Sequence, residues 1–310
     1  MGNQTEVTEF IILGLSDDPQ VQIFLFLLFL VVYLITLLAN MMIMLMIRAD
    51  PHLHTPMYFF LSHLSLVDIC YSSSIVPKIL VHFLAEHKTI SVNSCITQIF
   101  FIFLLAVTEG YILSAMAYDR YAAICDPLCY MERISKGICF QLVSGAWAIG
   151  FIDALLNTVF ALKPHFCGSN QINHFSYELP SLLHLSCTET LTNQVMLFTP
   201  VVILGSSSFL FTLISYIHII STILRIRSAE GRHKAFSTCS SHLIVVGLLY
   251  LTAFFQYTKP SSISFVVLDE MFSIQYSILT PMLNLIIYSL KNKDVKTPVG
   301  KMLGKFKFFK

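Results

Sequence analysis

Residues 21–47 carry no charged side chain, and the run closes on Arg48. At about 1.5 Å per residue, such a run is longer than a hydrocarbon core of roughly 30 Å is thick, so it reads as a tilted membrane-spanning helix. Similar apolar stretches occupy 57–80, 95–118, 137–162, 194–224, 235–257 and 271–290, each bounded by charges, proline or a polar cluster. Seven spans result, the last with Asp269 and Glu270 at its mouth. Composition agrees: with 55% apolar and 12% charged residues in 310 positions, the chain could fill an ordinary soluble core twice over. Long apolar runs without period-two alternation exclude a barrel, so the expected fold is an all-α, seven-transmembrane helix bundle.

Basic residues orient the bundle. If the N-terminus is outside, 15 of the Lys and Arg residues fall on the inner side, including Arg48, Arg120, Arg133 and the run from Arg225 to Lys234. Only 4 fall outside, namely Lys78, Lys88, Lys163 and Lys259, and the positive-inside rule then selects that orientation. The expected organisation is an extracellular N-terminus over 1–22, the seven-helix bundle over 23–290 and a short cytoplasmic segment over 291–310. No removable signal peptide is expected, because the start lacks a basic region and a small-residue cleavage site; the first span directs insertion. Asn3-Gln4-Thr5 becomes a usable glycosylation sequon on the outer side. The tail, basic and carrying Phe306, Phe308 and Phe309, suits either an interfacial segment on anionic lipid or a solvated end.

Charges inside the apolar runs are expensive and carry the chemistry. Asp119 and Arg120 adjoin at the inner end of the third span, where a long cation reaches water and folds back towards a neighbouring carboxylate. They serve either as a weak two-state ion pair, worth about 1 kcal/mol or less, or simply as an interfacial anchor. Asp68 in the second span and Glu109 in the third lie deeper and face the bundle. Two ionised acids there repel at low dielectric, so either a cation bridges them or at least one is protonated; a neutral hydrogen-bonded pair is the plainer alternative. Asp153 in the fourth span is expected only to reach a neighbouring backbone. No nucleophile elbow, P-loop, HExxH or paired CxxC occurs, and Cys125 with Cys129, or His242 near Cys239, falls short of a metal site, so no enzyme is expected. A transporter or channel would suit seven spans, but no internal repeat is visible.

Four segments carry a resemblance. MAYDRYAAIC (116–125), LHTPMYFFLSHLSLVDICYSS (53–73), KAFSTCSSHL (234–243) and PMLNLIIYSLKNKDVK (281–296) resemble, across the whole chain, the signatures of vertebrate olfactory receptors of the tetrapod type, a branch of the rhodopsin-like G-protein-coupled receptors. The resemblance implies a plasma-membrane receptor that takes a small volatile, mostly apolar odorant and activates a stimulatory, olfactory-type G protein to raise cyclic AMP. It implies a pocket from Ile102, Phe103, Ala106, Val107, Val201, Leu204, Ala253, Phe254, Tyr257, Ile274 and Ser277. It assigns the coupling switch to Asp119, Arg120, Tyr121, Tyr250, Asn284 and Tyr288, and it puts Asp68 and Glu109, with Asn284 near, at a midplane sodium site. The inner end of the sixth span, Glu230 to Lys234, is basic where many rhodopsin-like receptors have a second acid for the arginine, so that second clasp is expected to be absent.

Two departures bear on whether this member works well. The family bridges the third span to a loop cysteine, whereas this chain has Tyr177 at that point and three outer cysteines, Cys95, Cys167 and Cys187. Three cannot all pair within one molecule. Cys167–Cys187 closes a loop of about 20 residues, worth roughly 3 kcal/mol in the chain-entropy model, and leaves Cys95 free; alternatively Cys95 takes one of the two. Either way, Tyr177→Cys is expected to raise surface staining of a tagged receptor, and unchanged staining would refute a cysteine-framework defect. The second departure is Leu285, where the family has proline after Asn284, which leaves Pro281 to break the helix.

Overall fold

The computed structural model describes residues 9–12, 18–85, 89–162, 171–172, 191–258 and 274–291. Helix α1 (Pro19–Ala49) starts where the Asp18 side chain accepts from the Gln20 amide at 2.9 Å, with Pro19 at the first position. A single 3₁₀ turn, Pro51–Leu53, is capped by Asp50 and leads into α2 (Pro56–Leu84). Helix α3 (Val92–Cys125) is capped by Ser91, and α5 (Lys136–Ala161) by Ser135, in each case through a hydroxyl accepting the third amide of the helix. Between them α4 (Tyr130–Arg133) is one turn. Helices α6 (Leu191–Arg225) and α7 (Ala229–Thr258) follow, and a π-helical turn over Gln275–Leu279 runs into α8 (Thr280–Lys291).

Six helices, α1, α2, α3, α5, α6 and α7, are long and apolar enough to cross a membrane among the described residues. The seventh span, expected over 271–290, is described from residue 274 onward, and the fold is the seven-helix membrane bundle that the apolar runs imply. Asn3, Cys167, Tyr177, Cys187, the outer residues 259–273 and the tail beyond Lys291 lie outside the described residues.

One feature departs from a purely helical expectation. Three short strands, β1 (Glu9–Ile12), β2 (Thr89–Ser91) and β3 (Gln171–Ile172), form a sheet in the order β2-β1-β3. Strand β1 runs antiparallel to β2, with Phe10 opposite Ile90, and parallel to β3, with Ile11 opposite Gln171. Strands of two to four residues are too short to leave a period-two signal in sequence.

Burial ranks the helices. Within the most apolar stretch of each, 67% of α3 is buried against 11% of α1, so α3 is the axis and α1 the lipid-facing flank. Phe60 and Leu64 of α2 and Ile112, Leu113 and Met116 of α3 anchor the main core. Helix α5 buries a stripe of small residues, Ala146, Gly150, Ala154 and Ala161. A Cβ built on Gly150 would lie 2.6 Å from the Leu104 carbonyl oxygen and against Thr108 Oγ1, so α3 and α5 touch backbone to backbone there. This is the close helix approach that small residues permit in lipid, where van der Waals packing replaces a hydrophobic driving force.

The break expected at Pro281 takes the form of the π turn. Proline has no N–H and its ring excludes the carbonyl four residues back, so the ladder on its N-terminal side must adjust. Both the Thr280 amide and Thr280 Oγ1, the latter at 3.1 Å, donate to the Gln275 carbonyl five residues earlier. The Pro281 carbonyl then accepts from Asn40 Nδ2 of α1 at 3.4 Å, which ties the break to the bundle.

Candidate functional site

At the C-terminal end of α3 the Arg120 guanidinium folds back onto Asp119, Nη2 to Oδ2 at 3.2 Å, while Tyr130 of α4 donates its hydroxyl to Asp119 Oδ1 at 2.7 Å. Asp119 is 1% exposed and Arg120 16%, so the carboxylate is enclosed and the cation keeps a route to water. Burial, then the adjacent Asp119 carboxylate, pushes the Tyr130 phenol above its ordinary range, so it remains a donor at physiological pH. Sequence reading gave Asp119 one partner; the structure gives it two. Arg133 of α4 pairs separately with Asp126 at 2.8 Å and fixes the loop that carries Tyr130. Because Tyr130 holds the acid that holds Arg120, Tyr130→Phe should raise ligand-independent signalling by up to about 10-fold, the scale of a lost charged hydrogen bond of roughly 1.5 kcal/mol. Basal signal equal to wild type at matched surface level would count against this role for Tyr130.

Beside the pair, the inner halves of α3, α6 and α7 close on one another. Ala117, Tyr216, Ile219, Ile223 and Cys239 form a buried cluster, with Tyr121 and Cys125 packed on it. Tyr121 stacks on Tyr118 and meets the ring of His218. His242, which with Cys239 falls short of a metal site in the sequence, is the polar tie of this face. It is 3% exposed, its Nδ1 lies 2.7 Å from Tyr216 Oη and its Nε2 lies 3.0 Å from the Leu113 carbonyl. A ring so placed donates from Nε2 to the carbonyl and accepts the tyrosine hydroxyl at Nδ1, joining α7 to both α3 and α6. Its signal in sequence was a histidine inside an apolar helix; its partners sit on two other helices and could not be read.

The midplane acids come together. Asn284 Nδ2 lies 3.2 Å from Asp68 Oδ1 and 3.2 Å from Glu109 Oε1, so one amide spans both carboxyls. Asp68, Glu109 and Asn284 are 2%, 4% and 1% exposed, and Asn284 Oδ1 is buried with no partner among the described residues. Cys95 is buried near the N-terminal end of α3 and forms no disulfide among the described residues. Asp153 differs from expectation: its side chain accepts from the Asn157 amide at 3.0 Å, so its partner is a side chain.

Between these regions a polar seam joins α3 to α6 and α7. Tyr111 Oη lies 2.7 Å from Ser207 Oγ, Ser114 Oγ donates to the Ser208 carbonyl at 2.8 Å, and Tyr250 Oη donates to Ser208 Oγ at 2.9 Å. Tyr250 is thereby satisfied and sits near Gly110, where a Cβ would make ordinary contact with Ser208 Oγ at 3.4 Å and with Tyr250 Oη at 3.9 Å.

Of the pocket positions, Ile102, Ala106 and Ile274 pack on the main core, Phe103 is buried, and Val107, Leu204 and Ala253 are half-buried. Phe254 is 69% exposed and does not join them, because two residues on from buried Thr252 turns a side chain about 200° around the helix. The side chains of Val201, Tyr257, Ser277 and Tyr288 lie outside the described residues, as does that of Leu285.

Comparison with known proteins places this arrangement. The family model for olfactory receptors matches residues 29–305. Olfactory receptor 8S1 of Homo sapiens is 52% identical over 296 residues, covering 96% of this chain and 82% of that protein. Olfactory receptor 5M5 of Mus musculus is 48% identical over 302 residues, 97% and 95% of the two chains, and Olfactory receptor 5A1 of Homo sapiens is 49% identical over 307 residues, 99% and 98%. A multi-pass helical bundle with an Asp-Arg pair at the C-terminal end of its third helix, matched by that family almost from end to end, is a member of the olfactory receptor family of G-protein-coupled receptors.

Proposed function

We propose that the protein binds small, volatile, mostly apolar odorants between the outer halves of its helices and activates a stimulatory, olfactory-type G protein at its inner face, raising cyclic AMP. One observation carries the reading: Arg120 is clasped by Asp119 and Tyr130 beside an inner face that His242 ties shut, the form of a resting two-state switch. The apolar character of Ile102, Phe103, Ala106, Val107 and Leu204 suits a ligand held by shape with few polar contacts. Below them Tyr250, bonded to Ser208, connects the pocket level to the α3–α6 seam. The positive-inside count supports an extracellular N-terminus and a cytoplasmic Arg120.

With the Asn284 amide reversed, so that Oδ1 rather than Nδ2 faces the carboxyls, that oxygen with Asp68 and Glu109 would hold a sodium ion, whose charge would let both carboxyls remain ionised. These three residues otherwise share one amide and brace α2, α3 and α8 against each other.

The test is cyclic AMP in cells that express an N-terminally tagged receptor with an olfactory-type G protein, screened over a varied odorant panel while surface tag is quantified. A saturable, dose-dependent rise supports the reading. Tagged receptor on the surface that stays silent across chemically diverse odorants, yet passes ions or solutes without ligand, would replace it with a transporter or channel.

A further inference from the structure

Helix α5 holds a buried polar group that the switch, the pocket and the midplane acids leave unused. Asp153 is 1% exposed and Asn157 0%, with Ala154 between them also fully buried. Asn157 Nδ2 donates both to the Asp153 carbonyl at 2.9 Å and to Asp153 Oδ1 at 3.0 Å, which consumes both of its amide hydrogens. Two oxygens are then left over, Asp153 Oδ2 and Asn157 Oδ1, each buried without a partner. Drawn as a carboxylate and an amide, both leftover atoms are acceptors, and neither can serve the other.

A charge at this place has nothing to balance it. Asp153 forms no ion pair among the described residues, and the nearest basic residues in sequence, Lys136 and Lys163, are more than two helical turns away. The neighbouring outward side chains, Phe151, Ile152, Leu155 and Leu156, are 52%, 58%, 48% and 44% exposed, so the opposite side of the helix faces lipid and offers no water. An unpaired carboxylate in such surroundings is strongly unfavourable, while a carboxylic acid that donates a hydrogen bond is not.

We propose that Asp153 binds one proton on Oδ2 and donates it towards Asn157 Oδ1, so that the two side chains form a neutral acid–amide pair inside the membrane. One proton turns the leftover acceptor pair into a donor and an acceptor, and both orphaned atoms are satisfied at once. The hydrogen bonds from Asn157 Nδ2 to the Asp153 carbonyl and to Oδ1 fix the amide orientation, which leaves its oxygen as the free acceptor of the pair. The site takes a proton; a monovalent cation on the same oxygens is the competing occupant that the experiment separates.

The experiment is infrared difference spectroscopy of the full-length receptor in lipid nanodiscs at neutral pH, wild type against Asp153→Asn. A protonated carboxyl has a carbonyl stretch above the amide bands; every other carboxyl, Asp68 and Glu109 included, contributes equally to both spectra in whatever state it holds, and cancels. The expected result is a band lost in Asp153→Asn and shifted in heavy water. Asparagine at 153 places an N–H where the acid O–H was, so this variant should keep wild-type surface level and a thermal midpoint within about 2 °C of wild type. Asn157→Leu supplies a second reading: the Asp153 band persists and moves to higher frequency as its acceptor is lost. No difference between wild type and Asp153→Asn would show an ionised carboxyl and overturn the proposal, as would a band that appears only when sodium is replaced by a large organic cation.

Discussion

Gly150→Val is expected to keep the receptor off the cell surface. Any side chain at 150 must enter the place where α5 lies directly on α3, and its first carbon would sit 2.6 Å from the Leu104 carbonyl oxygen and against the Thr108 hydroxyl. Neither neighbour can yield cheaply. Leu104 O is backbone and already accepts from Thr108 Oγ1 at 2.6 Å, and Thr108 is 0% exposed. The helices would have to separate along the interface that buries the axis of the bundle, at a cost of about 3 kcal/mol or more, a large share of the stability of a typical fold. Gly145 is the internal control, because nothing lies within 4 Å of a Cβ built there, and Gly145→Ala should export normally. Surface tag on Gly150→Val comparable with that on Gly145→Ala would mean that the α3–α5 contact is not as tight as described.

Arg120→Ala is expected to cut signalling by about 10-fold or more while leaving export intact. The guanidinium is 16% exposed and its carboxylate partner keeps a second bond from Tyr130, so removing the cation leaves Asp119 hydrogen-bonded and the fold supported. What disappears is the group that would leave the clasp and meet an inner partner. A coupling free energy of 1–3 kcal/mol corresponds to roughly 5- to 150-fold, so the odorant-evoked cyclic AMP response should fall by about 10-fold or more at matched surface tag. A wild-type dose–response curve in Arg120→Ala would remove this residue from the switch. Together with Tyr130→Phe, which acts on the other side of the same carboxylate, the pair separates a loss of output from a loss of restraint.

How much of this could be read from sequence follows from physical scale. Membrane spans are visible because lipid demands long uncharged runs such as 21–47, and the orientation because loop charges obey one rule. Asp119 with Arg120 was legible because the partners adjoin in the chain, and Asp68 with Glu109 because acids in lipid are rare enough to stand out. The partners of His242 were not legible: Tyr216 and the Leu113 carbonyl belong to two other helices, and which residues meet depends on how each helix is rotated about its axis. Tyr130 was missed for a related reason, since a one-turn helix between α3 and α5 leaves no periodic trace. Asp153 and Asn157 are four apart on one helix and were within reach of a spacing argument; expecting a backbone partner hid them.

The π turn at Gln275–Leu279 changes how the seventh span must be aligned with other helices. Each additional residue in a helical turn advances the side-chain direction by about 100°, so one helical wheel cannot describe both sides of the turn. Ile274, which packs on the core, and Asn284, which spans the two acids, point inward only because the chain takes this wider turn between them. Deleting one residue from the turn would therefore act as a rotation: with α8 held by Asn284 and by the Asn40 bond to Pro281, the outer segment would turn its inward side chains aside. The levels of the proposed pocket and of the midplane acids are in this sense phased by a single extra residue.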